Sequence, residues 1–263
     1  MLVNNINPIL LKIDPLTIRW YGLFLAIGVL LAILILQSLF KERKYKTELL
    51  YDLVVWLVIG GLIGARLGHV FFYNAKFFLA NPLEILFINH GGLSSHGMTI
   101  GLLVTTLLYR WIKKVKIEQY FDILVIPIPL IATFIRLGNF FNSEIIGKPS
   151  TLPWAVWFKR VDPEIILRHP SQIYESLIAL TIFIILYVIY KKKIFNLQSS
   201  IFNLFLLLYF STRFLVEFVK ERHILFDNAL SMGQWLSVPF IILGMWWFLA
   251  RYIRHVTQNN KNV

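Results

Sequence analysis

The sequence contains no cysteine and has few charged residues for its length. Without cysteine the chain cannot form a disulfide, a thiolate metal site or a cysteine nucleophile, so any thiol chemistry must use a partner's sulfur. Of its 263 residues, 15% are charged and 57% are hydrophobic. Soluble domains carry roughly 25% charged and about 45–50% apolar residues. The composition therefore excludes an ordinary soluble domain and indicates that most of the chain lies in lipid.

Linkers, repeats and cofactor motifs are also missing. The sequence has no Gly/Ser-rich linker, low-complexity tract or evident repeat, and no HExxH, phosphate-loop or dinucleotide-binding pattern. We therefore expect one membrane domain over residues 1–263, with neither a metal nor an organic cofactor.

Long apolar runs recur along the chain, each close to the roughly 20 residues that cross about 30 Å of hydrocarbon. The first run is too long and too polar at its start to resemble a cleaved signal peptide, so it should persist in the mature protein. The runs predict an all-α polytopic membrane protein with about seven transmembrane helices, near residues 16–40, 50–73, 96–112, 119–141, 172–190, 200–219 and 232–250.

Clusters of lysine and arginine follow the first, third, fifth and seventh predicted helices, at residues 41–46, 110–116, 191–193 and 251–261. By the positive-inside rule these turns are cytoplasmic, which places the N-terminus on the outer side of the membrane and the C-terminus on the inner side. The formal charge of +12 is concentrated in these turns. Topology and anionic lipid headgroups account for it, so nucleic acid is not an expected partner.

The segment 142–171 separates the fourth and fifth predicted helices. It combines several prolines with an alternating apolar stretch at 154–158. This pattern predicts a small extracytoplasmic head that contains β-structure. Residues 1–15 are expected to lie along the outer interface as an amphipathic segment.

Three arginines lie inside the predicted second, fourth and sixth helices: Arg66, Arg136 and Arg213. Burying each charge costs roughly 2.5–3.5 kcal/mol on insertion scales. All three lie toward the outer ends of their helices, and Tyr21 and His96 reach the same level from two further helices. The pattern predicts a site for an anionic group in the outer half of the bilayer. The alternative for any one arginine is snorkelling to the headgroups.

Polar residues accompany two of these arginines. Asn139 shares a helix face with Arg136 at a spacing of three, and Asn142 and Glu144 follow in the same run. In the sixth helix Tyr209, Arg213 and Glu217 form one polar stripe. The alternative here is an Arg213–Glu217 pair that only makes burial tolerable.

His96 follows a run of glycines and serines at the start of the third predicted helix. Such flexible polar backbone suits a loop that lines a cavity. A lone histidine at a helix start more often caps or hydrogen-bonds than catalyses, so both roles stay open.

Five motifs together resemble the bacterial prolipoprotein diacylglyceryl transferase family: RWYG at 19–22, GARLG and FYN within 64–74, GGLSSHG at 91–97, RLGNFFNSEIIG at 136–147 and HPSQIYES at 169–176. The match covers nearly the whole chain. It implies an enzyme that transfers the diacylglyceryl group of phosphatidylglycerol to the lipobox cysteine of a preprolipoprotein signal peptide and releases glycerol phosphate. This is the first step of lipoprotein maturation.

By motif position, the resemblance implies catalytic roles for Tyr21, His96, Arg136 and Arg213. It implies binding roles for Arg66, Arg136, Asn139, Asn142, Glu144, Tyr209 and Glu217. Asp122 also matches a family position, but an unbroken helix would place it about 21 Å from Arg136, so we interpret it as structural. The chain departs from the family at Met98, where glycine is common, and at Lys220, where arginine is usual. Lysine offers a point charge instead of a planar fork.

The residues can support this chemistry. Arg136 and Arg213 would hold the phosphate through paired hydrogen bonds while His96 accepts the thiol proton. Alternatively Tyr21 or Tyr209 orients the headgroup, and positive potential alone lowers the thiol pKa. A transporter or anion channel is the rival function, because buried charges also mark such pathways. Against it, the inner halves of the helices offer few polar residues.

Overall fold

A computed structural model of the chain describes residues 1–13, 16–87, 91–194, 200–221 and 230–259. Contacts within it divide the chain into two compact units. The first comprises Met1–Leu36 and Tyr120–Val263, and the second comprises Gln37–Gln119. The expectation of one domain over residues 1–263 stays a prediction.

The described residues are mostly helical. They form nine α-helices: α1 (Trp20–Glu42), α2 (Thr47–Tyr73), α3 (Ala75–Ala80), α4 (Ser95–Lys113), α5 (Phe121–Leu124), α6 (Ile128–Asn142), α7 (Ser171–Lys191), α8 (Ser200–Val216) and α9 (Met232–Asn259). Short 3₁₀ turns lie at Pro82–Leu86, Ile117–Tyr120 and Glu217–Val219. Five strands complete the described elements: β1 (Leu2–Asn4), β2 (Ile9–Ile13), β3 (Leu16–Arg19), β4 (Val156–Phe158) and β5 (Leu167–Arg168).

Each predicted transmembrane segment contains a helix, but the segments differ in how well they suit a membrane. Among the described residues, five helices are long and apolar enough to cross one, and a bent pair, Ile117–Leu124 with Ile128–Asn142, raises the number to six. Helix α4 is not among them, because its serines, threonines and glycines and His96 lower its hydropathy. The chain is therefore a polytopic membrane protein with five or six candidate spans in the described part.

The fourth predicted helix is bent by 52° between its two halves. Pro127 lies at the break and Pro129 in the first turn of α6. Proline lacks the amide hydrogen that a continuous helix needs, and its ring clashes with the preceding turn. The two prolines therefore interrupt a run that the sequence analysis treated as one straight helix.

The expectation of an all-α protein, apart from the head at 142–171, is wrong for the N-terminal residues, which form strands. The first predicted helix was expected from residue 16 but begins at Trp20, because 16–19 form β3, which pairs antiparallel with β2. Strand β1 pairs parallel with β4 and β4 antiparallel with β5, giving the order β1-β4-β5. The β-structure expected within 142–171 is confirmed, and the N-terminal strand that joins it was not foreseen.

This small sheet has its own apolar core and a buried polar anchor. Ile146, Val156 and Phe158 are buried together, with Phe140 packed against them. Asn4 is also buried, and its side-chain amide donates to the Phe140 carbonyl at 2.7 Å. The anchor ties the N-terminal strand to the end of α6.

Arg168 and Asp162 form a paired hydrogen bond within the same segment, at 2.7 and 2.8 Å. Glu221 accepts a third bond from Arg168 at 3.0 Å. The hydrogen bond from Asp162 raises the pKa of the Arg168 guanidinium above its ordinary value. Because a raised pKa stabilises the charged form at all lower pH values, the guanidinium stays charged throughout the neutral range.

In the second unit, α2 packs on α4 through small residues spaced four apart. A Cβ on Gly64 would lie 2.5 Å from the Gly97 carbonyl oxygen and 2.6 Å from the Gly101 Cα, so the two backbones are in direct contact. Repeats of this kind let helices approach closely in membranes. The apposition positions Arg66 on α2 and His96 on α4 within one unit.

The basic turns of the sequence analysis coincide with helix ends. Lys44, Lys114 and Lys193 each have φ between 51° and 57°, so each stops its helix in the left-handed conformation. Positive charge at a helix C-terminus is favoured by the helix dipole. The basic cluster at 251–261 lies partly outside the described residues.

Candidate active site

The last two turns of α6 carry a chain of polar contacts. Arg136 Nη1 donates to Asn139 Oδ1 at 3.2 Å, and Asn139 Nδ2 donates to Glu144 Oε2 at 3.0 Å. Asn142 Nδ2 reaches the other oxygen of Glu144 at 3.1 Å. The predicted spacing of three between Arg136 and Asn139 therefore produces a direct contact. Because Asn139 and Glu144 accept and relay these bonds, they fix the direction of the guanidinium.

The turn after α6 is held in a strained conformation. Ser143 and Ile145 have φ of 57° and 54°, a region that β-branched residues rarely adopt. The start of α7 restrains it, since Gln172 Nε2 donates to the Glu144 carbonyl at 2.6 Å and Ser171 Oγ to the Ile145 carbonyl at 2.8 Å. Strain persists where the surroundings over-determine it, and it often marks a functional site.

Glu175 on α7 lies at the centre of a buried ion-pair network. Its Oε2 is 3.1 Å from Arg136 Nε, and its Oε1 accepts a hydrogen bond from Lys220 Nζ at 3.1 Å. Lys220 Nζ also donates to Glu217 Oε2 at 3.1 Å. Glu175 Oε2 is buried without an aligned hydrogen bond, so its contact with Arg136 is an ion pair alone.

Backbone pairing delivers Lys220 to this network. The residue forms an isolated antiparallel bridge with Gly147, with Lys148 N–H donating to the Val219 carbonyl at 2.9 Å. A Cβ on Gly147 would lie 2.6 Å from the His169 Cβ and 3.0 Å from the Val219 oxygen, so only glycine fits between the two strands. The glycine that closes the RLGNFFNSEIIG motif thus allows Lys220 to approach.

Arg136 and Arg213 line one cavity between α6, α7 and α8. Glu175, Tyr209 and Thr212 line it as well, together with apolar side chains. The cavity holds about 20 Å³, so it has room for roughly one water molecule. Arg213 makes no hydrogen bond or ion pair with any residue that the structure describes. Its guanidinium therefore faces the cavity without a partner among the described residues.

The Arg213–Glu217 pair considered in the sequence analysis is not formed. Helix α8 ends at Val216, and Glu217 begins a 3₁₀ turn whose carboxylate contacts Lys220 instead. The residues of the predicted polar stripe therefore separate: Glu217 pairs with Lys220, whereas Tyr209 and Arg213 line the cavity.

Tyr21 on α1 packs against the polar end of α6. A Cβ on Gly138 would lie 2.9 Å from the Tyr21 ring, so the absence of a side chain at 138 lets the tyrosine approach. Gly138 immediately precedes Asn139, which places Tyr21 beside the Arg136 network.

Arg66 lies in the second unit and is almost fully buried. Its five N–H groups donate to backbone carbonyls in the segment that links α3 to α4: Glu84, Ile85, Phe87, Gly91 and Gly92. The guanidinium also lies 5.0 Å from the Phe78 ring. These contacts support a structural role, because anion binding would require some of them to break. Its predicted role in substrate binding stays a prediction.

His96 is the second residue of α4 and is exposed. Ser94 performs the capping that His96 was considered for, since its hydroxyl accepts the Gly97 N–H at 3.2 Å. His96 belongs to the second unit and the arginine cavity to the first. A role as the base therefore stays a prediction.

Sequence reasoning missed Glu175, Lys220 as a carboxylate partner, and the two anchors Ser171 and Gln172. All four are buried polar residues, and a buried carboxylate in an apolar helix was a usable signal for Glu175. Asp122 accepts the Phe202 N–H at the start of α8 at 2.9 Å, which agrees with the structural role expected of it. No group of three potential metal ligands occurs among the residues that the structure describes.

The fold and the cavity define a polytopic membrane protein in which two guanidinium groups line one cavity among apolar helices. The model of a protein family described as prolipoprotein diacylglyceryl transferase matches residues 8–250. The chain belongs to this family of transferases.

Curated relatives agree along nearly the whole chain. A phosphatidylglycerol–prolipoprotein diacylglyceryl transferase of Tolumonas auensis is 40% identical over 93% of this chain and 95% of its own. The protein of that name in Chloroherpeton thalassium is 40% identical over 92% and 91%, and that in Porphyromonas gingivalis is 36% identical over 97% and 96%. The alternative of a transporter or anion channel finds no support in these relatives.

Proposed function

We propose that this protein transfers the diacylglyceryl group from phosphatidylglycerol to the lipobox cysteine of a preprolipoprotein and releases glycerol phosphate. The observation that carries the proposal is the single cavity lined by both Arg136 and Arg213. Membership of the transferase family supplies the substrate pair, since its relatives are named for both.

The reaction is a displacement at carbon. The cysteine sulfur of the partner attacks the glyceryl carbon that carries the phosphate, and a C–S bond forms as the C–O bond to phosphate breaks. The bonding electrons leave with glycerol phosphate. A free cysteine thiol has a pKa of about 8.5, so the enzyme must favour its thiolate form. It must also stabilise the negative charge that accumulates on the leaving phosphate.

Arg136 and Arg213 perform the second task. A guanidinium stays ionised, can donate two parallel hydrogen bonds to phosphate, and acts more strongly where water is scarce. Asn139 and Glu144 orient Arg136 through the contacts described above. Tyr209 lines the cavity and orients the headgroup, and Tyr21, packed on Gly138, acts beside Arg136. Asn142 Nδ2 donates to the Glu144 carboxylate, and the Glu217 carboxylate pairs with the Lys220 ammonium.

His96 accepts the thiol proton, directly or through water. Its exposed imidazole at the start of α4 is free to receive a substrate from outside the unit. Substitution of His96 by glutamine tests this role, because substantial retained activity would transfer the role to another group or to none.

The protein operates in the bacterial inner membrane with seven spans. These are the six candidate spans described above and α4. The N-terminus and the head, residues 142–171, lie outside, and the basic turns lie in the cytoplasm. Both substrates are embedded in the bilayer, so they reach the cavity laterally between helices.

The deciding assay combines the purified protein in detergent with phosphatidylglycerol and a lipobox peptide. The expected result is a gain in peptide mass equal to one diacylglyceryl group, matched by released glycerol phosphate. Arg136→Ala and Arg213→Ala should abolish the gain while the protein still inserts, and Lys220→Ala should be milder. A fully active Arg136→Ala protein would overturn the proposal.

A further inference from the structure

Five charged side chains belong to the cavity or to the ion pairs that extend from it: Arg136, Glu175, Arg213, Glu217 and Lys220. We call them the buried charge cluster. Three are cations and two are carboxylates, so the cluster carries a net charge of +1. Glu144 is exposed and reaches Arg136 only through Asn139, so it is not counted in the cluster.

The pairing shows where the excess charge lies. Glu175 contacts both Arg136 and Lys220, and Glu217 contacts Lys220, so the carboxylates occupy two of the three cations. Arg213 is the cation left over among the residues that the structure describes. One uncompensated charge faces a cavity that two arginines line.

We propose that Glu175 is a positioning and selectivity residue: by neutralising Arg136 it leaves one positive charge in the cavity, which matches a phosphodiester instead of a phosphomonoester. The proposal rests on the proposed function. The phosphodiester of phosphatidylglycerol carries one negative charge, whereas the glycerol phosphate product carries about −1.5 to −2 at pH 7. A cluster of charge +1 therefore binds the lipid substrate without retaining the product.

The geometry gives Glu175 this role instead of a purely structural one. Its Oε2 contacts Arg136 without an aligned hydrogen bond, so the bond that orients Arg136 is the one to Asn139. A glutamine at position 175 keeps the shape and can still accept from Lys220, but it removes the charge. The substitution therefore tests charge at nearly constant volume.

The test measures binding of two soluble anions to the purified full-length protein by calorimetry in detergent. One is sn-glycerol 1-phosphate, a phosphomonoester, and the other is glycerophosphoglycerol, a phosphodiester with a single charge. Glu175→Gln raises the cluster to +2 and should improve the affinity for glycerol phosphate about tenfold relative to glycerophosphoglycerol. Lys220→Gln lowers the cluster to zero and should shift this ratio in the opposite direction.

The double variant Glu175→Gln/Lys220→Gln restores the net charge of +1 and should return the ratio to that of the unsubstituted protein. Glu175→Asp, which keeps the charge on a shorter side chain, should do the same. The proposal is overturned if the ratio of the two affinities is the same in all variants. It is also overturned if the double variant does not return this ratio to that of the unsubstituted protein. If Glu175→Gln fails to fold, Lys220→Gln and Glu175→Asp still test it.

Failure of the proposed function has a different signature. If the ratio of the two affinities follows the cluster charge across the variants but the unsubstituted protein does not lipidate the peptide, the transferase assignment fails and the charge rule stands. If it lipidates the peptide but the ratio ignores cluster charge, the charge rule alone fails.

Discussion

At the scale of single residues, four arginines differ in the partners that their guanidinium groups already have. Backbone carbonyls take every donor of Arg66, and two carboxylates and the Gly147 carbonyl accept from Arg168. Arg136 has one ion pair and one amide contact, and Arg213 has no partner among the described residues. Arg136 and Arg213 therefore retain the most donors for a ligand among these four, and the two share a cavity.

Replacing Arg136 by lysine keeps the charge but removes the planar fork. We expect the transfer rate to fall by roughly two to three orders of magnitude, because one oriented donor toward a developing anion is worth about that much. Initial rates of peptide lipidation measure the effect. Arg160→Lys on the exposed surface is the matched control and should keep the full rate. Equal rates for both variants would contradict phosphate binding through paired hydrogen bonds.

Arg66 and Arg213 should respond to alanine in opposite ways. Arg66→Ala leaves backbone carbonyls without donors, so we expect it to lower the free energy of unfolding by about 3 kcal/mol or more. Arg213→Ala removes an unpaired charge and should leave thermal stability unchanged or raised, while transfer is lost. Thermal unfolding in detergent, followed by the transfer assay, separates the two. A stable Arg66→Ala protein that fails only in transfer would restore the substrate-binding role expected from the sequence.

How far the sequence could predict the site depends on local spacing. Arg136, Asn139 and Glu144 are near neighbours in the chain, so helix geometry alone brings them together. The contact from Glu175 to Lys220 joins residues 45 positions apart. It depends on a backbone bridge to Gly147, for which no periodicity gives a signal.

At the scale of elements, hydrophobic runs predicted the helices well because lipid imposes length and composition on each span. The bend before α6 was not predicted, although Pro127 and Pro129 in the run were a usable signal for it. The strand β1 was not, because three residues pair with a partner more than 150 positions away. Short strands held by distant partners have little pattern of their own.

The contact of α2 with α4 gives a test at this scale. Gly64→Ala places a methyl group against the Gly97 and Gly101 backbones, so we expect unfolding to become easier by about 1–3 kcal/mol. Gly22→Ala is the matched control, since its Cβ would meet no atom within 4 Å. That change should be neutral or slightly stabilising in a helix. Equal stability of the two variants would show that the helices do not pack through these glycines.

At the scale of the whole molecule, the charge distribution determines the expected orientation in the membrane. Basic residues end α1, α4 and α7, whereas the segment 142–171 joins the other ends of α6 and α7. By the positive-inside rule we expect the segment 142–171 to face outward.

The absence of cysteine makes this orientation directly measurable. Single cysteines can replace Lys116 in a basic turn and Lys159 in the head, both of which are exposed. An impermeant maleimide applied to spheroplasts should label Lys159→Cys at once and Lys116→Cys only after lysis. Labelling of both before lysis, or the reverse order, would contradict the seven-span topology.

The central claim is that Arg136 and Arg213 bind one lipid phosphate together. A structure of the protein in a lipid nanodisc with phosphatidylglycerol tests it most directly, through the distances from the phosphate oxygens to the two guanidinium groups. We expect both distances to fall within about 2.7–3.2 Å, with the phosphate between α6, α7 and α8. A bound phosphate that contacts only one of these arginines, or neither, would contradict the account.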